Sequence, residues 1–229
     1  MKRSLFVILF FSLTHLLSAQ KVALIPGSQQ IREFMEHLPE ELEKKELIDL
    51  RLLDDEFNIR IWQPHAIFSL HFKGGKANSN YKVFATGGEA KVHTHFIEED
   101  LSQTFYDSLM GWNIMDIHSE SRRANDIFPV IVEFSTTTQY RVNYVWSPQR
   151  SRTANTKKVL AIIGFLSERM GVTEIISEYK NNLPAGQYKW GKVDLDIDCF
   201  LDESVSKTDF YIKIEKEIKE KLIVNSETN

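Results

Sequence analysis

The stretch Gln139-Tyr140-Arg141-Val142-Asn143-Tyr144-Val145-Trp146-Ser147-Pro148, together with the apolar positions that follow it, decides the fold class. Its first eight residues alternate with period two. Tyr140, Val142, Tyr144 and Trp146 fall on one side, and Gln139, Arg141 and Asn143 on the other, as a strand requires. Pro148 has no N–H to donate and stops the ladder. From about Asn155 the period changes. Val159, Ile162, Ile163, Leu166 and Met170 recur at helical spacing and make one apolar stripe. A strand, a break and an amphipathic helix therefore adjoin, and each has an apolar face that needs a partner surface.

Upstream, Phe128 to Ser135 reads as the antiparallel mate of Thr138 to Trp146 across a Ser-Thr-rich turn. Phe57-Asn58-Ile59-Arg60-Ile61-Trp62 alternates, with Phe57, Ile59 and Ile61 on the inner face, and Gln63-Pro64-His65 turns the chain. Ile67 to Phe72 is the next strand. Gly74-Gly75-Lys76 opens a polar loop through Asn80. Tyr81 to Thr86 and Glu89 to Phe96 then form a hairpin about Gly87-Gly88, a pair suited to positive φ. Ser28 caps a helix carrying Ile31, Phe34, Met35 and Leu38, and Pro39 with Glu40 and Glu41 restarts a helical turn. Leu47 to Asp55 fits neither period. Glu98 to Met110 is predicted helical, Trp112 to His118 extended, and Thr173 to Leu183 a short helix ended by Pro184-Ala185-Gly186. Tyr188 to Leu201 alternates again, Phe210, Ile212 and Ile214 suggest a last strand, and a charged tail from Glu215 is expected to fray. Hairpins with separate helices predict an α+β fold, with a mostly antiparallel sheet (meander and hairpins) covered by amphipathic helices, in one domain over 21–229.

The chain opens with Met1-Lys2-Arg3, an apolar run from Leu5 to Leu17, and Ser18-Ala19-Gln20. A basic start, a short apolar core and a small residue at the junction predict a signal peptide over 1–20, hence a periplasmic or secreted product. No later segment is apolar enough for a stable membrane span after cleavage. Loss of Lys2 and Arg3 would move the formal charge from −4 to about −6, which speaks against a nucleic-acid partner. Cys199 is the only cysteine, so no internal disulfide forms, and the core must hold the fold. Alternation with apolar neighbours makes Cys199 a buried small residue.

Two constellations carry chemistry. His93-Thr94-His95 on a strand projects both imidazoles from one face, and with a third ligand would suit zinc or copper. His71, on a neighbouring hairpin, is the natural third ligand, with Glu89 and His118 as others; a solvated sheet face is the plainer reading. The second is the approach to the main helix, where Arg150, Ser151, Arg152, Thr153 and Lys157 crowd a helix N-terminus that already carries partial positive charge. Such an entrance suits a phosphate, sulfate, carboxylate or acidic partner, or acids of this chain such as Asp194, Asp196 and Asp198. Trp62, Tyr144 and Trp146 could line a ligand platform, although such a row is more often core. Gly87-Gly88 lacks the phosphate-loop lysine, no nucleophile elbow is present, and no spacing marks a catalytic triad.

Ile59-Arg60-Ile61-Trp62, Tyr140-Arg141 followed by Ser147-Pro148, a covering helix, and Leu183-Pro184 with Gly186 and Tyr188 together resemble a pattern in secreted or periplasmic proteins of Bacteroidota-type bacteria. The leader ending Ser18-Ala19-Gln20 is similar. The resemblance implies export and transfers no site residues. The expectation is an exported, non-enzymatic domain that binds a protein or a small anionic ligand and needs no cofactor. A metal-dependent hydrolase on His93 and His95, with zinc the candidate cofactor, and a structural part of an envelope assembly are the alternatives.

Overall fold

The structure, a computed structural model, describes residues 21–25, 27–87, 91–120, 129–145, 153–190 and 193–197, the last five by backbone alone. The predicted leader, Cys199, the strand at Phe210 and the charged tail lie outside the described residues. The elements in chain order are β1 (Val22–Leu24), α1 (Gln29–Lys44), β2 (Phe57–Gln63), β3 (Ala66–Lys73), β4 (Lys76–Val83), β5 (His93–Ile97), α2 (Glu99–Gly111), β6 (Val130–Thr136), β7 (Gln139–Val145), α3 (Ala154–Met170), α4 (Val172–Asn181), β8 (Gly186–Trp190) and β9 (Val193–Ile197). Single 3-10 turns occur at Leu50–Leu52 and Ile114–Asp116. Seven strands form one mixed sheet in the order β1-β7-β6-β2-β3-β4-β5, and β8 pairs with β9 separately. Every pairing is antiparallel except that of β1 with β7. The fold is α+β with a mostly antiparallel sheet. No helix among the described residues is long and apolar enough to cross a membrane.

The sheet is buried on both faces at its centre. On one face, Phe57, Ile59, Ile61, Phe68, Leu70, Val132 and Phe134 join Phe105 and Leu109 of α2, Val159, Ile162 and Leu166 of α3, and Ile175 and Tyr179 of α4 in the main core. On the other, Leu38 and Leu42 of α1 pack with Trp62, Ile67 and Phe84, while Ile31 packs with Leu50, Tyr140 and Val142. The alternation read in β2, β3 and β7 is correct. The second face of β2, read as outward, is instead buried: Asn58, Arg60 and Trp62 are 0%, 1% and 7% exposed.

Several elements differ from the sequence reading. Gly74 and Gly75, at φ 58° and 78°, form a tight turn, and Lys76 to Asn80 is already strand, not loop. Its polar residues alternate Lys76, Asn78, Asn80 on one face against Ala77, Ser79, Tyr81 on the other, a pattern masked by their composition. Pro39 lies inside one continuous helix, whose N-cap Ser28 accepts from the Ile31 N–H as expected. Leu38 and Leu42 keep one buried stripe across the proline. Residues 112–118 contain the 3-10 turn rather than a strand. Gly171, in the left-handed region at φ 64°, rather than Thr173, stands at the junction of α3 and α4. The Tyr188 region divides into β8 and β9, joined to the main sheet's end by Thr86 and Lys189, which exchange both backbone hydrogen bonds.

Of the predicted α3 stripe, Val159, Ile162 and Leu166 are buried, whereas Ile163 and Met170 are only partly so. Ile162→Ala is therefore expected to cost about 2–5 kcal/mol in urea unfolding, and Ile163→Ala distinctly less. Equal losses at the two positions would contradict this packing.

Candidate functional site

The pairing registers set out the α1-side face of the sheet as three rows running across the strands. Tyr144, Ile131, Trp62, Ile67, Lys82 and Thr94 form the first. Val142, Glu133, Arg60, Ser69, Asn80 and Phe96 form the second. Tyr140, Ser135, Asn58, His71 and Asn78 form the third. The first row carries most of the apolar contacts to α1. The second and third are dominated by polar side chains, and Asn58, Arg60, Ser69, Glu133 and Ser135 are at most 1% exposed.

Glu133 organises the deep end. Its carboxylate accepts hydrogen bonds from the Trp62 indole, from Tyr140 Oη at 2.6 Å and from Arg60 Nη1 at 3.3 Å. Burial, and then the Glu133 charge, pushes the Tyr140 hydroxyl far above its ordinary pKa, so it remains a donor. Arg60 Nη2 also donates to the Ile48 carbonyl at 2.7 Å.

That carbonyl belongs to a segment, residues 45–56, which straps the polar rows between α1 and β2. Ser135 Oγ donates to Leu50 O at 2.7 Å, and Lys21 Nζ reaches both Leu50 O and Ser135 Oγ. Asp49 holds the 3-10 turn by accepting from the Arg51 N–H and guanidinium. Burial opposes ionisation of Asp49, but these bonds from Arg51 outweigh it and hold its carboxyl below the ordinary value. On the return limb, Asp55 lies 3.5 Å from His71 Nδ1, which also meets Asn58 Oδ1 at 2.6 Å. Glu56 accepts from the Gly74 N–H.

Between the limbs of this strap lie side chains with unused hydrogen-bonding capacity. Six buried side-chain polar atoms among the described residues have no hydrogen-bond partner in the protein, and four of them cluster here: Asn58 Nδ2, Arg60 Nε, Ser69 Oγ and Asn80 Oδ1. The other two, Arg141 Nε and Asn143 Nδ2, point from β7 to the opposite face. Buried polar groups are normally paired, and an orphan costs about 1–3 kcal/mol. Four on adjoining strands leave a patch whose hydrogen bonds the protein alone does not complete. Lys82, 7% exposed, adds an ammonium whose ion-pair partner among the described residues is Glu46, 4.0 Å away. Burial lowers the Lys82 pKa; Glu46 opposes the shift and Arg60 adds to it. His71 is likewise lowered by burial, with Asp55 opposing and Arg60 reinforcing. Toward β5 this face opens, since Asn78 and Phe96 are exposed and Asn80 and His71 half-buried.

Of the predicted sites, the histidine set does not assemble with His71, and the helix entrance lies largely outside the described residues. His93 and His95 share one face of β5, as expected, opposite Val83 and Tyr81. That is the α4 side, where the His93 ring lies 6.5 Å from that of Tyr179. His71 pairs with Asn58 and Asn78 and faces the other way, so it cannot complete their ligand set. Glu89 lies outside the described residues, and the His118 backbone is engaged by Asn155. No group of three His, Cys, Asp or Glu side chains able to hold a metal occurs among the described residues. At the main-helix entrance, Arg150, Ser151 and Arg152 lie outside the described residues. Thr153 caps α3 by accepting from the Thr156 N–H, and its hydroxyl donates to the Glu120 carboxylate, while Lys157 is exposed. An acid of this chain thus already occupies that helix end. Trp62 is a buried donor to Glu133, not an open platform, and Trp146 lies outside the described residues. A groove along α4, lined by Thr173, Glu174, Ser177, Glu178, Asn181 and Asn182, is ordinary polar helix surface and includes none of the unpaired buried atoms.

No protein-family model matches the chain, and neither a curated protein nor a solved structure matches it.

Glu46 adopts φ 53° just after the α1 C-cap, with the Leu47 N–H closing back on Leu42 O. Glycine is favoured at this left-handed position. Glu46→Gly is expected to raise stability by up to about 1 kcal/mol, because the exposed carboxylate contributes little. The same change is expected to lower the pKa of the Lys82 amine, followed by NMR titration. A loss of stability, or an unmoved Lys82, would show that Glu46 is placed otherwise.

Proposed function

We propose that the protein is an exported, non-enzymatic binding domain, and that it takes a small polar ligand on the α1-side face of β2, β3 and β4 beneath the 45–56 strap. The observation that supports this reading is the cluster of unpaired buried atoms on Asn58, Arg60, Ser69 and Asn80. Those groups can orient a ligand, and the half-open side toward β5 gives it a path. The cluster includes no nucleophile paired with a base, so binding is the better account than catalysis. In this reading the helices pack over both faces of the sheet to hold the rows rigid, and export follows from the basic, apolar leader of the sequence.

Thermal unfolding of the mature protein across a panel of small polar compounds tests the reading. A ligand at 100 times its Kd stabilises by about 2.7 kcal/mol, and Ser69→Ala and Asn80→Leu are each expected to diminish the shift. Compounds that stabilise wild type and both variants equally would refute the site.

A further inference from the structure

The donors between the strap and the sheet are arranged for one particular kind of ligand, and we infer that it is a small monocarboxylate carrying a hydroxyl group beside the carboxylate. The inference rests on the binding reading above and adds the chemical class.

The charge balance comes first. Three nearly buried cations, Lys45, Arg60 and Lys82, share this face with one buried carboxylate, Glu133, and Lys45 is paired with Glu41 at 2.5 Å. Glu133 already receives three donors, from Arg60, Trp62 and Tyr140, and lies at the far side of Arg60 from β4. Lys82 is left with Glu46, whose carboxylate is 74% exposed and 4.0 Å away, beyond hydrogen-bond reach. Asp55 is engaged with His71 and Lys73. Lys82 is therefore left without a carboxylate in hydrogen-bond reach among the described residues. An uncompensated buried charge is costly, and a single negative charge on the ligand offsets it.

Hydrogen-bond direction then narrows the class. Arg60 Nε and Asn58 Nδ2 are donors with nothing to donate to, and they sit on the same strand two residues apart, so both point to one face. Two neighbouring N–H groups suit a planar oxyanion, which accepts on both oxygens. Ser69 follows Arg60 across the row and can donate or accept. Asn80 Oδ1, next along the same row, can only accept. A ligand that lays its carboxylate toward Arg60 and Asn58 therefore meets Asn80 with a donor of its own, an adjacent hydroxyl. The order donor, donor, hydroxyl, acceptor runs from the deep end to the open side in the direction such a molecule would enter.

The test uses the mature protein and four probes at constant ionic strength: lactate, acetate, inorganic phosphate and glycerol. Two readouts are followed, the thermal midpoint and the Arg60 Nε–H cross-peak in ¹H–¹⁵N spectra. Lactate is expected to raise the midpoint and move the Arg60 peak, binding at least several-fold more tightly than acetate. Asn80→Asp, which changes the acceptor into a negative charge with the same shape, is expected to abolish both effects, and Lys82→Met to weaken them about tenfold or more. If Lys82→Met fails to fold, the Asn80→Asp comparison alone decides. A response to phosphate or to glycerol in place of lactate would overturn the carboxylate assignment while leaving a binding site on this face. An Arg60 peak unmoved by all four probes would overturn the assignment and the binding reading together.

Discussion

One buried carboxylate sets the conditions for the rest of this face. Glu133 sits at the centre of a seven-stranded sheet, 1% exposed, with an arginine, an indole and a phenol donating to it. A carboxylate so placed must be fully hydrogen-bonded, because desolvating it unpaired costs several kcal/mol. The requirement propagates outward. Arg60 is fixed by Glu133, the Ile48 carbonyl is fixed by Arg60, and the strap is thereby laid across the sheet. Leu50, Ser135 and Lys21 tie the strap's middle, and Asp55 and Glu56 tie its end. Such a layer is a weak way to gain stability, since apolar residues of the same volume often do as well or better by about 1–4 kcal/mol. Its presence in the middle of a sheet that otherwise packs Ile, Leu, Val and Phe therefore calls for a reason other than stability, and the ligand recognition proposed above would supply one.

Much of the architecture was legible in the sequence, because period and turn chemistry report local geometry directly. The alternation of Tyr140, Val142 and Tyr144, the Pro64-His65 turn, and the stripe of Val159, Ile162 and Leu166 are all visible before any coordinates. The site was not legible, for two physical reasons. A strand with apolar residues on one side and Asn58, Arg60 and Trp62 on the other looks half-solvated, and only the covering segment reveals that both faces are buried. The β4 run from Lys76 to Asn80 has the composition of a loop, yet two neighbouring strands recruit it into the sheet. A signal existed: an arginine and a glutamate each stand in mid-strand, at Arg60 and Glu133, and such a pair is costly unless the strands are neighbours. Parity separates His71 from the other two histidines, since register places it an odd step from the His93 and His95 face.

The strap itself differs from an ordinary connection. It presents Ile48 and Leu52 at 63% and 79% exposed while burying Leu50 completely, and it begins with Glu46 in the left-handed region. Its hold on the sheet comes mainly from hydrogen bonds and ion pairs to three strands rather than from a large apolar contact. Segments held in this way open at lower free energy than packed helices and strands. That property suits a cover over the proposed site, entered from the β5 side.

The most direct measurement is a high-resolution crystal structure of the mature protein soaked in lactate. The account predicts well-defined density within hydrogen-bond distance of Asn58 Nδ2, Arg60 Nε and Ser69 Oγ, with the Glu133 contacts to Arg60, Trp62 and Tyr140 intact. Side chains of Asn58, Arg60, Ser69 and Asn80 turned to satisfy one another, with no density between them, would contradict it.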